Sequence, residues 1–114
     1  MRRLALLALL PLPVVAGEAD VLDAKAQRMG DQWRISATIR HADTGWDHYA
    51  NGFEVVGPDG TVLGTRVLYH PHVEEQPFTR SYTLSIPAEI SEVTVRALDL
   101  VHGGGGAEVT VPLR

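Results

Sequence analysis

The chain has 114 residues, ten Lys and Arg against fourteen Asp and Glu, a formal net charge of −4, and no cysteine. That is one domain's worth of chain. Its acidity speaks against nucleic acid or anionic lipid as partners, because phosphate binding needs clustered Lys and Arg, and without cysteine there is no disulfide framework, so packing or a bound ion must hold the fold.

The chain opens with MRRLALLALLPLPVVAGEAD, which has the three-part layout of a secretory signal: Arg2 and Arg3, an apolar stretch from Leu4 to Val15, then small residues. Cleavage after Ala16 and cleavage after Ala19 both satisfy the small-residue preference, so residues 1–19 are set aside as leader and residues 20–114 as the domain. Spanning a membrane takes roughly 20 apolar residues, whereas this stretch has twelve, broken by Pro11 and Pro13. The mature form is therefore expected to carry no membrane span and to be periplasmic or secreted. Taking 16 or 19 residues from 114 leaves 98 or 95, with eight basic residues against fourteen or thirteen acids.

In the remainder the dominant period is two, the signature of half-buried strands. "VLDAKAQ" is the first run. "WRISATIR" follows, with Trp33, Ile35, Ala37 and Ile39 on one face and Arg34, Ser36, Thr38 and Arg40 on the other. "FEVV" and "TVLGTRVLY" come next, with Gly64 as a candidate bulge. "SYTLSI" places Tyr82, Leu84 and Ile86 inward, "EVTVRALDL" does the same with Val93, Val95 and Ala97, and "AEVTV" with Val109 and Val111. No segment sustains a helical period. Seven short strands separated by turn material such as Gly30-Asp31, "GPDG" and "PAEIS" predict an all-β fold, a single seven-stranded antiparallel β-sandwich.

This pattern, most clearly "SEVTVRALDLVHGGGGAEVTVPL", resembles the last strands of immunoglobulin-like and fibronectin type III-like domains, without the cysteine pair of antibody domains and without an obvious tyrosine corner. The stretch "GWDHYANGFEVVGPDGTVLGTRVLYHPHVEEQPFTRS" is similar to small exported bacterial proteins of unassigned function. The resemblance implies an immunoglobulin-like sandwich and carries no activity with it.

In such a sandwich consecutive strands reverse, so loops alternate between two poles. The connections "HADTGWDHYANG", "HPHVEEQP" and "HGGGG" share one pole, and with them all five histidines: His41, His48, His70, His72 and His102. Pro71 biases His70 towards extended backbone, where residues i and i+2 face the same side, so His70 and His72 can present both rings to one point. His102 supplies a third candidate ligand and His48 a fourth. Asp43, Asp47, Glu74 and Glu75 are nearby as ligands or as groups that orient a ring. Without soft ligands, with Met29 at the far pole, copper(I) is disfavoured, and imidazoles with carboxylate suit copper(II) or zinc.

Other roles for the same residues remain open. His-Pro-His can be a rigid loop bonded to backbone, His41 at a strand end is expected to be solvated, and His48, Trp46 and Tyr49 can cap the core. Arg80 is expected to pair with Glu74 or Glu75. No serine sits in an activating turn, so the chain is not expected to be an enzyme. The alternative to metal binding is an interaction module in which Trp46, Tyr49, Val73 and Phe78 dock a protein or glycan.

Overall fold

A computed structural model describes residues 17–114; residues 1–16 of the leader expected over residues 1–19 lie outside the described residues. Seven strands follow in order: β1 (Asp20–Met29), β2 (Gln32–Arg40), β3 (Ala50–Val56), β4 (Val62–Val67), β5 (Phe78–Leu84), β6 (Glu92–Asp99) and β7 (Val109–Pro112). They form two antiparallel sheets, β1-β2-β5 and β4-β3-β6-β7. Among the described residues there is no helix.

The alternation read from the sequence sets the faces. Trp33, Ile35, Ala37 and Ile39 of β2 are all buried, as are Val93, Val95 and Ala97 of β6, and between them Phe53 and Val55 of β3 close the core. Tyr82 and Val109, expected inside, are only partly buried and pack against the edge of that core. The outward faces carry short polar ladders: Ser36 faces Ser81 at 2.9 Å, Thr38 faces Thr79 at 2.8 Å and Thr94 faces Thr110 at 3.0 Å. Cross-strand hydroxyl pairs of this kind each add a few tenths of a kcal/mol, up to about 1.

Strand β3 begins three residues before the predicted "FEVV", because Ala50 has an antiparallel partner in Asp99 and its side chain is fully buried. In β4 the register slips between Val55 and Val56, which pair with Gly64 and Val62 and leave Leu63 over. The bulge expected near Gly64 is thus present. A Cβ at Gly64 would sit 2.7 Å from the ring of Tyr82, so the close approach of the opposite sheet explains the glycine.

The turns between β1 and β2, β3 and β4, and β5 and β6 share one pole, with Met29 at the first of them. The long connections spanning residues 41–49, 68–77 and 100–108 gather at the other, beside the entry to β1.

Candidate metal site

His41 and Asp99 enter this pole as continuations of the two strands that build the core. Trp33, Ile35, Ala37 and Ile39 point inward from β2, and His41 is the next position of that alternation; Val93, Val95 and Ala97 lead in the same way to Asp99. Each is 3% exposed. One comes from each sheet, so they meet between the layers. His41, expected to be solvated, is instead among the most buried polar groups.

Two turns bring further histidines to this point. Thr44 N–H donates to the His48 carbonyl at 3.0 Å and His48 N–H to the Gly45 carbonyl at 3.2 Å. Gly45 has φ 140°, a conformation that only glycine adopts cheaply. This fold-back sets the His48 ring 4.7 Å from the His41 ring, edge to face. After β6, Asp99 and Gly103 exchange backbone hydrogen bonds at 2.9 Å, and the intervening turn swings His102 to within 5.2 Å of His48, centroid to centroid. Asp99 holds that turn, accepting from Val101 N–H at 2.9 Å and His102 N–H at 2.5 Å, while His102 Nδ1 lies 3.1 Å from Oδ2. Burial pushes the Asp99 carboxyl up and is the largest single influence, but the His102 and Val101 N–H groups and the His102 ring together hold it below the usual carboxylate range.

The lone pairs decide what this arrangement can do. His41 Nδ1 is 2.5 Å from Asp43 Oδ1, and a carboxylate can only accept, so the neutral ring carries its proton on Nδ1 and its lone pair on Nε2. That Nε2 faces Gly17 O at 3.1 Å, His48 Nε2 at 3.2 Å and Asp99 Oδ2 at 3.4 Å, and His48 Nε2 stands 3.5 Å from Asp99 Oδ1. With His48 in the tautomer that leaves its Nε2 unprotonated, lone pairs of both rings and the Asp99 carboxylate face one point where a cation could sit; in the other tautomer His48 donates to His41. One ligand atom from each of His41, His48 and Asp99 lies within 4.8 Å of the others, so the three could hold a metal ion. In a tetrahedral zinc site with bonds of about 2.0–2.2 Å the ligand atoms stand about 1.6 bond lengths, or roughly 3.3–3.6 Å, apart. The two ring nitrogens stand 3.2 Å apart, close to that spacing, while their nearest Asp99 contacts, 3.4 and 3.5 Å, go to different carboxylate oxygens.

Asp43 stands behind this group. Its side chain is fully buried; Oδ1 accepts from His41 Nδ1 and from Ala50 N–H at 3.1 Å, and Oδ2 from His72 N–H at 2.7 Å. A carboxylate on the far nitrogen of a ligating imidazole fixes the tautomer and raises its basicity. Gln76 ties the same two loops together, accepting from His41 N–H at 3.0 Å and donating to the His72 carbonyl at 2.9 Å.

Of the four histidines expected to share an ion, the structure brings His48 and His102 together and, separately, His70 and His72, whose rings are 4.8 Å apart. His72 is 5% exposed and stacked on Phe78 at 4.0 Å. Its Nε2 lies 3.2 Å from the Arg80 guanidinium, which can only donate, so the lone pair is used there and the proton sits on the buried, unpartnered Nδ1. In this arrangement neither nitrogen of His72 is free for an ion. His70 is exposed, with Nδ1 3.3 Å from the Pro71 carbonyl. Arg80 also pairs with Glu75 at 3.3 Å. Trp46 and Val73 are exposed, with Trp46 against Tyr49 at 5.8 Å, whereas Phe78 is 3% exposed as the first inward residue of β5 and offers no surface for docking.

Burial, and then the neighbouring Arg80 charge, hold the His72 ring below the ordinary histidine value of 6.5. The unfolded chain therefore takes up a proton near pH 6.5 that the folded chain refuses. His72 thus contributes stability that is complete above that pH and is lost as pH falls below it. Urea unfolding at pH 7.5 and 5.5 should show lower stability at the acid value, and replacing His72 with Phe should shrink the difference.

No protein-family model matches the chain. It is 40% identical over 95 residues to a Halomicrobium mukohataei protein named "Putative lipoprotein", an alignment covering 82% of this chain and 47% of the relative. The chain thus spans about half the length of the curated relative it matches. Among solved structures it is similar to a hypothetical protein from Pyrococcus horikoshii OT3, with TM-score 0.56, 15% identity, and coverage of 90% of this chain and 93% of that one. It is similar also to a superoxide reductase in the oxidised state, with TM-score 0.55, 15% identity, and 90% and 94% coverage. At that identity the likeness speaks for the fold alone, a β-sandwich.

Proposed function

We propose that this is an exported, immunoglobulin-like binding protein that holds one divalent transition metal ion at its long-loop pole, through His41 Nε2, His48 Nε2 and the Asp99 carboxylate. The observation that carries the reading is the convergence of these groups, one from each sheet and one from a folded-back loop, with nearest separations of 3.2–3.5 Å. His102 and Asp43 stand behind them as orienting groups. The strand order β1-β2-β5 against β4-β3-β6-β7 supports the immunoglobulin-like assignment, and the name of the Halomicrobium relative supports export. Among the described residues no helix is long and apolar enough to cross a membrane.

Imidazole and carboxylate donors without thiolate suit zinc or copper(II). Competition titration of the metal-free, tag-free chain with zinc(II) tests the proposal. One ion should bind, His48→Ala should weaken it by at least about tenfold, and His70→Ala should leave it unchanged. Equal affinity in the parent and His48→Ala would contradict the ligand assignment.

A second reading draws on the exposed apolar side chains at the same pole, Trp46 at 66%, Tyr69 at 74% and Val101 at 60%. Apolar surface gathered around a site suits docking of a protein or glycan, and that role would survive loss of the metal ligands.

A further inference from the structure

We infer that leader removal after Ala16 completes the metal site, because the new α-amino group of Gly17 takes a coordination position beside His41. This rests on the metal reading above.

The folded chain distinguishes the two cleavage positions that the sequence left open. Ala19 is 1% exposed and belongs to the core cluster. Glu18 lies over Gly105, where a Cβ would meet Glu18 Cγ at 3.1 Å. At Gly106 the approach is closer still, since a Cβ there would fall 2.0 Å from the Ala19 carbonyl oxygen. Ala107 N–H then donates to Asp20 Oδ1 at 2.7 Å, and Val21 N–H to the Ala107 carbonyl at 2.8 Å. The glycine run after β6 is thus shaped to receive residues 18–20, and a chain cut after Ala19 would lose a packed part of the sandwich. Cleavage after Ala16 keeps it whole and makes Gly17 the first residue.

Gly17 is already at the site. Its carbonyl oxygen lies 3.1 Å from His41 Nε2, a spacing that suits two ligands of one ion. With the leader attached, the Gly17 nitrogen is an amide whose lone pair is delocalised into the carbonyl bond, so it cannot ligate. Hydrolysis of the Ala16–Gly17 bond frees that nitrogen as an amine, which can take the fourth position of a tetrahedral set beside His41, His48 and Asp99. A cavity of about 310 Å³ lined by Gly17, Arg40, His41 and Gln76 gives the new terminus room. Processing thereby couples to loading: the precursor holds a partial ligand set and the mature chain a fuller one.

Two measurements test this. The intact mass of the exported protein should correspond to a chain starting at Gly17; a start at Asp20 overturns the inference. Competition titration with zinc(II) and copper(II) should then show N-acetylation of the Gly17 chain loosening binding by about tenfold or more. Equal binding by the free and acetylated chains overturns the inference and leaves the His41, His48 and Asp99 site standing. No binding by either removes both.

Discussion

Asp43→Ala is expected to cost the domain about 3 kcal/mol or more and to lower its melting midpoint by well over 10 °C. Three donors converge on that carboxylate: the His41 ring, Ala50 N–H and His72 N–H. The side chain has no exposure through which water could replace it. Leaving a buried donor unpaired costs about 1–3 kcal/mol, and three are released together. Domains of this size have only about 5–15 kcal/mol in total, and each kcal/mol moves the midpoint by about 4–8 °C. Asp47, exposed in the same loop, is the control, because its replacement by alanine should change stability by no more than about 0.5 kcal/mol. Equal effects at the two positions, measured by thermal and urea unfolding, would show that Asp43 is not the tie between the loops that its contacts suggest.

The second large effect belongs to the metal. An ion that binds only the native state adds about 2.7 kcal/mol when present at 100 times its dissociation constant, so zinc should raise melting by on the order of 10 °C or more. In His41→Ala the shift should vanish. The alanine also leaves Asp43 with one donor fewer and opens space between the sheets, so the variant should be less stable even without metal. The difference between the midpoints with and without metal therefore carries the test, and a shift of parental size in His41→Ala would count against the assignment.

Much of the fold was legible because one physical rule dominates it. Strand periodicity of two, interrupted by glycine and proline turns, placed the inward residues of β2 and β6 and separated the two poles. The same rule, followed one step further, reaches His41 after Ile39 and Asp99 after Ala97. At these two positions a polar residue takes an inward place at the strand end, and the expectation of a solvated strand terminus for His41 overlooked it. Spacing within "HPHVEEQP" pointed instead to His70 and His72. Spacing gives their common side but says nothing of Arg80, ten residues beyond His70, whose guanidinium takes up the lone pair of His72. Nor could sequence show that Phe78 turns inward to stack under that ring across a loop, or that Gly17 lies against His41, a contact between segments far apart in the chain.

The most direct measurement is anomalous scattering from crystals of the mature chain grown with zinc, recorded on both sides of the zinc absorption edge. A single strong peak should lie about 2.0–2.2 Å from His41 Nε2, His48 Nε2 and the Asp99 carboxylate. A peak on His70 and His72 instead, or no peak at the long-loop pole, would contradict the account.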